Sequence, residues 1–332
     1  FERLALTDAV LGPAFATVDD LNGDGTVDIA LAMFGKVDGF QIPDGQILWL
    51  EQGSDWTDWN AETLLPEGAG YKWPNGSEAH DMDGDGDLDL AVGGGFLTCQ
   101  LLPWTSSCGS IFWLEQTEDD WKIHDIVPPG AELFFHHPVF LDVDSDGIED
   151  LVVVGESFAG PMGTVSHAEV RVYRALDDAG NFATEHEVLA DGLGSLPQVW
   201  DIDEDGDEDL ISAEYFFDAG TSFAWLENPG TGEGEWQRHI IDDTVGPAIR
   251  IQLVADAYGD GITRAFGTNH TNTEKSSPDP EASQLVVYTP TDDPTESWNR
   301  EVIDDQFVSV PDSGAGAPGV FGTGDVDGDG DM

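Results

Sequence analysis

Short apolar segments bounded by Gly and Asp recur along the whole chain, and almost none carries the 3.6-residue period of a helix. Three of them, AFATVD (14–19), PVFLDV (138–143) and PQVWDI (197–202), each precede an acidic stretch. After such stretches come DIALAMF (28–34), DLAVGGG (89–95), DLVVVGE (150–156) and DLISAEY (209–215). Their length and their Val, Ile, Leu and Ala content predict buried strands. A third segment carries an aromatic: ILWLEQ (47–52), IFWLEQ (111–116), VRVYRA (170–175), FAWLEN (223–228) and LVVYTP (285–290). Trp49, Trp113, Tyr173, Trp225 and Tyr288 read there as equivalent positions. A fourth opens on an aromatic and ends on aliphatics, as in WNAETLL (59–65) and WKIHDIV (121–127). Four strands in each stretch of about 60 residues predict an all-β chain, a β-propeller of four-stranded blades whose stacked sheets hide their faces.

The acidic stretches are copies of one motif, starting at residues 20, 81, 142, 201, 256 and 325, so that successive starts lie 61, 61, 59, 55 and 69 residues apart. Positions 1, 3, 5 and 9 are Asp20, Asn22, Asp24 and Asp28 in the first copy and Asp81, Asp83, Asp85 and Asp89 in the second. They are Asp142, Asp144, Asp146 and Asp150 in the third, and Asp201, Asp203, Asp205 and Asp209 in the fourth. The fifth copy is eroded, with Tyr258 at position 3 and Arg264 at position 9. The sixth holds Asp325, Asp327 and Asp329 and stops with the chain.

Oxygen ligands at that spacing suit calcium, a hard cation that takes six to eight of them. Positions 1, 3 and 5 supply side-chain oxygens, and position 7 (Thr26, Asp87, Ile148 or Asp207) supplies its backbone carbonyl. An EF-hand would need a bidentate Glu at position 12, but Leu31, Val92, Val153 and Ser212 stand there inside strands. The pattern is therefore a calcium loop within a β-hairpin. Four ions are expected, and the truncated Asp325 loop is a candidate for a further one. None is expected in the fifth copy, where the Arg264 guanidinium is positioned to pair with Asp256 or Asp260.

Charge narrows the partners. The 67 acidic residues against 11 basic ones give a formal net charge of −56, of which four calcium ions would offset only 8. Such a surface repels nucleic acid and anionic lipid, and no apolar run is long enough to span a membrane. Eleven Trp and 17 Phe in periodic positions argue against disorder. The Lys-poor acidic composition suits a salty exterior. Cys99 and Cys108 are the only cysteines, and their even number and close spacing point to a disulfide in an exported protein.

The repeated Asp loops, in register with the strands, resemble the FG-GAP/VCBS family of calcium-loop propellers, and the WLEQ…WxxHxI flavour leans toward its bacterial VCBS branch. The resemblance covers essentially the whole chain, read as one propeller domain with repeats at 14–65, 75–127, 136–189, 195–241 and 249–303. A partial repeat at 317–332 and a lone outer strand at 1–6 would share a split sixth blade, and the resemblance implies seven blades at full length. It also implies an extracellular location, secreted or at the cell surface, within a larger chain. The calcium loops would lie on one face and the ligand site on the other.

The connections expected on that other face are aromatic. Tyr71, Trp73, Trp104, Phe135, His136 and His137 are the candidate ligand-binding residues, with Trp73, Trp104 and Phe135 expected to be exposed. Rings mixed with polar groups suit a glycan or an extracellular protein. Half of these rings turned inward to plug the ring of blades is the competing reading. Adjacent residues of an extended chain point opposite ways, so at most one of His136 and His137 faces a ligand. His124 and His239 recur at one place in the fourth strand, where Glu62 and Glu301 stand in other repeats, which marks a fold position. No catalytic motif stands out. The function expected is a secreted, calcium-stabilised binding or adhesion module. A carbohydrate-active enzyme of lyase or dehydratase type is the alternative, and a structural spacer is a third reading.

Overall fold

The computed structural model describes residues 6–7, 12–36, 42–96, 109–118, 120–158, 165–214, 223–230, 232, 234–271, 282–308 and 321–324. Among them there is no helix, and the strands form five four-stranded blades of a β-propeller. The first blade is β1 (Pro13–Asp19), β2 (Asp28–Met33), β3 (Gln46–Gln52) and β4 (Trp59–Leu65), hydrogen-bonded in that order. The second is β5 (Ser77–His80), β6 (Asp89–Gly94), β7 (Gly109–Gln116) and β8 (Trp121–Ala131). The third carries an added strand, β9 (Phe134–Phe135), beside β10 (Val139–Leu141), β11 (Asp150–Phe158), β12 (Val165–Tyr173) and β13 (Glu187–Ala190). The fourth is β14 (Gln198–Trp200), β15 (Asp209–Ala213), β16 (Phe223–Glu227) and β17 (Gln237–Asp242). The fifth is β18 (Ala248–Val254), β19 (Arg264–Asn269), β20 (Ser283–Thr289) and β21 (Asn299–Phe307). The chain divides into two compact units, residues 1–140 with 147–188 and residues 141–146 with 189–332.

In the first unit, alternation along single strands builds two cores. Leu90 and Val92 of β6 join Phe112 and Leu114 of β7 against Ile47 and Leu65 of the first blade. The intervening Ala91, Ile111 and Trp113 face the other way, toward Leu151, Val153 and Tyr173. Both faces of the second blade are therefore covered, which is why β6 is buried at every position and reads as an unbroken apolar run. The second unit has a comparable core around Trp225, Ile251, Tyr288 and Trp298.

Two sequence readings need correction. Trp49, Trp113 and Trp225 lie opposite Ala30, Ala91 and Ile211, each two residues beyond position 9 of the loop. Tyr173 and Tyr288 lie opposite Leu151 and Ala265, only one residue beyond it, so the five aromatics are not register equivalents. The stretch 128–138 is not a plain connection either. β8 runs on to Ala131, and β9 pairs with Gly155 and Glu156 of β11. Leu133 and Phe135 supply the driving force, since both are buried in the core between the second and third blades.

Close backbone approach explains the glycines of DLAVGGG. A Cβ on Gly93 would sit 1.9 Å from the carbonyl oxygen of His136. Gly93→Ala is expected to cost about 3 kcal/mol through this overlap, read as a lower urea midpoint at unchanged m-value. An unchanged midpoint would mean that β6 and the β9 segment are not packed this closely.

Candidate metal centres in the hairpin loops

Each acidic loop joins the first two strands of its blade and is shaped by its own carboxylates. In the first unit, Asp20 accepts hydrogen bonds from the amides of Asp24 (2.9 Å) and Gly25 (2.8 Å), and Asp24 accepts one from Thr26 (2.7 Å). Asp81 accepts from Gly84 (2.9 Å) and Gly86 (3.1 Å), and Asp85 from Asp87 (3.0 Å). In the second unit, Asp142 accepts from Asp146 (3.0 Å), Asp201 from Gly206 (3.2 Å) and Asp205 from Asp207 (3.0 Å). Position 4 must be left-handed for this wrapping. Gly23 and Gly84 fill it without strain, at φ of 69° and 73°.

The wrapping brings charges together. Asp81, Asp83 and Asp85 each place an oxygen within 4.8 Å of the others, as do Asp142, Asp144 and Asp146, and Asp201, Asp203 and Asp209. In the first loop Asn22 replaces one carboxylate and offers an amide oxygen instead. At such separations each pair of carboxylates repels by about 3 kcal/mol at an effective dielectric of 20. Asp201 Oδ1 is sealed from solvent and accepts no hydrogen bond. All-oxygen clusters with a sealed, donorless oxygen fit a hard divalent cation. Asp20, Asn22, Asp24 and Thr26 would hold one, with the corresponding sets of the other three loops holding theirs.

Position 9 has a second task. Asp89 is buried and accepts the amides of Met82 (3.0 Å) and Gln116 (2.8 Å), tying the loop to the end of β7. Asp209 does the same with Ile202 (3.0 Å) and Asn228 (2.8 Å). Asp28 accepts the Gln52 amide (2.9 Å) and Asp150 that of Ala175 (2.8 Å). Burial pushes the carboxyls of Asp89 and Asp209 up to about 7 and raises those of Asp28, Asp83 and Asp203. Among the described residues, position 9 gathers with positions 1 and 3 in the fourth loop alone, and its clamping of the third strand was missed from sequence.

Sequence reasoning also missed a third-strand glutamate. Glu115 adds to the charge felt by Asp83 and Glu227 to that felt by Asp203, while Glu51 accepts a hydrogen bond from Asn22 at 3.1 Å. The signal was the E of WLE, present in the first, second and fourth repeats. The third repeat has Arg174 instead, which bonds Asp150 at 2.7 Å. The outer-strand histidines hold these glutamates: His124 Nε2 lies 2.6 Å from Glu115 and His239 Nε2 lies 2.6 Å from Glu227. Their rings pack on Trp113 and Trp225 across the strands, as a fold position requires.

The fifth hairpin carries its own cation. Arg264 donates to both oxygens of Asp260, at 2.8 and 2.6 Å, and lies 4.4 Å from the Tyr258 ring centroid. That bidentate pair draws the Asp260 carboxyl down to about 2.

The expected ligand residues of the first unit do not form an exposed aromatic platform. Phe135 is fully buried, contrary to expectation, because its ring fills the core around Leu133 and Tyr173. Tyr71 is buried and donates its hydroxyl to Asp125 (2.8 Å). Trp73 is half-buried and stacks on Phe34 at 4.8 Å. His136 is buried between Glu156 (2.8 Å) and Asn75 (2.6 Å), whereas half-buried His137 turns to Glu78 (3.0 Å). The two histidines thus diverge, as an extended chain dictates. Trp104, Cys99, Cys108, Asp325, Asp327 and Asp329 lie outside the described residues.

Residues 20–92 match the family described as FG-GAP-like repeat. No curated protein matches the chain. A solved structure described as the crystal structure of a thermostable family-43 glycoside hydrolase is similar at 12% identity and a TM-score of 0.44, over 89% of this chain and 92% of that one.

Proposed function

We propose that this propeller, whose residues 20–92 match the FG-GAP-like repeat, is a secreted, calcium-stabilised binding module for a glycan or an extracellular protein. The convergence of loop oxygens carries the reading: three clusters within 4.8 Å, repeated at equivalent hairpins, with Asp201 Oδ1 lacking any donor. The ions are structural in this reading. They offset carboxylate repulsion and lock the first two strands of each blade.

Calcium titration of chelator-stripped protein, with atomic emission as a count, tests the metal. Four ions per chain are expected, at the loops beginning with Asp20, Asp81, Asp142 and Asp201, and Asp201→Asn should remove one. Fewer than three ions, or an equal ion at Asp256, would contradict the assignment. A glycan array run with and without calcium then addresses the ligand.

A further inference from the structure

The second unit contains a cavity of about 370 Å3, within the range of small-molecule sites. Four segments line it: the start of the fourth loop with Trp200 before it, Leu253 of β18, the fifth hairpin at Gly261–Thr263, and the β20–β21 turn. These segments are far apart in sequence and meet only in the fold.

The lining decides the ligand class. Among the described residues it presents Asp201, Asp203, Glu204 and Asp292 but no Lys, Arg or His. Arg264, which follows the lining hairpin, is already committed to Asp260. A calcium ion in the fourth loop would engage Asp201 and Asp203 and leave the charges of Glu204 and Asp292 unmet. The same lining includes Trp200, Ile262 and the edge of the buried Trp298. Aromatic faces bordered by uncompensated carboxylates recognise organic cations, since the ring quadrupole and the acids attract the same charge. Glu204 also sits at φ 62°, where the equivalent positions of the first and second loops are glycine.

We propose that this cavity binds an alkylammonium or guanidinium group, with Glu204 and Asp292 as counter-ions and Trp200 as the stacking surface. The proposal goes beyond the calcium reading and does not rest on it. The cation offered is shared by free polyamines and by the side chains of a basic peptide.

The test uses the full chain in excess calcium, with Trp fluorescence and calorimetry against spermidine, a blocked tri-arginine peptide and glucose. Saturable binding of at least one cation is expected, weakened about tenfold or more in the Glu204→Gln/Asp292→Asn double variant. Stronger binding of spermidine identifies a free amine, and stronger binding of the peptide a side chain. The double variant changes the net charge only from −56 to −54, so diffuse attraction to an acidic surface would survive it. Glu204→Gly provides a second variant that suits the left-handed backbone: it should keep the melting temperature and lose cation affinity. Equal affinity in variant and parent, no saturable cation binding, or preference for glucose would overturn the proposal. Calcium stoichiometry measured on the same samples keeps its failure distinct from failure of the metal assignment.

Discussion

In excess EDTA the protein is expected to melt at least about 10 °C lower than in millimolar calcium. A site saturated a thousandfold above its dissociation constant contributes about 4 kcal/mol. In a domain of 150–250 residues each kcal/mol moves the melting temperature by about 2–4 °C. The loops explain why the loss should not stay local. Each one joins the first two strands of a blade, and its position-9 aspartate also clamps the third, as Asp89 does through Gln116. Without metal, Asp81, Asp83 and Asp85 face one another within 4.8 Å and the hairpin must splay. The fifth hairpin supplies an internal contrast, because Arg264 already pairs with Asp260 there. Hydrogen exchange at Asp256–Arg264 should therefore change least on chelation. Magnesium should restore little, since it demands a tighter octahedron than these loops offer. A melting curve unmoved by EDTA would remove calcium from the account of stability.

Much of this fold was legible because a propeller repeats its instructions. The Gly and Asp punctuation around short apolar runs marked the first two strands of the blades, and the unbroken apolar character of LAVGG matched a strand buried on both faces. The gathering of acidic side chains in the loops was legible because their spacing is local. What escaped was set by distant partners. Phe134 and Phe135 read as a connection, yet they fold as a strand because β11 offers an edge and the blade-to-blade core has room. The one-residue displacement of Tyr173 and Tyr288 is a register fact, invisible to a pattern that tolerates either neighbour. The cavity of the second unit is the extreme case, since Trp200, Ile262 and Asp292 have no sequence relationship.

Stability without metal should fall as pH rises from about 4 to about 7, the reverse of common acid denaturation. Asp89 and Asp209 have their carboxyls pushed up to about 7 by burial, against about 3.9 for an unfolded aspartate. Between those values the metal-free folded state holds more protons than the unfolded chain. Its stability therefore declines with pH, being full below about 4 and flat again above about 7. At about 1.4 kcal/mol per pH unit, each buried carboxyl is worth about 4 kcal/mol as a ceiling over that window. Asp28, Asp83 and Asp203 are raised in the same direction and add to the trend. The low carboxyl of Asp260 changes protonation near 2 and contributes nothing to it. Calcium reverses the sign, because it binds only the ionised loops and its affinity grows as they deprotonate. Melting curves in EDTA and in calcium should thus converge near pH 5 and separate widely at pH 8. General repulsion among the −56 surface charges has the same sign as the metal-free trend. Repeating the series in 1 M NaCl, where screening acts within about 3 Å, separates the two, because buried carboxyls are little screened. A metal-free protein that is more stable at pH 8 than at pH 5 in high salt would show that these aspartates are ionised without a cation.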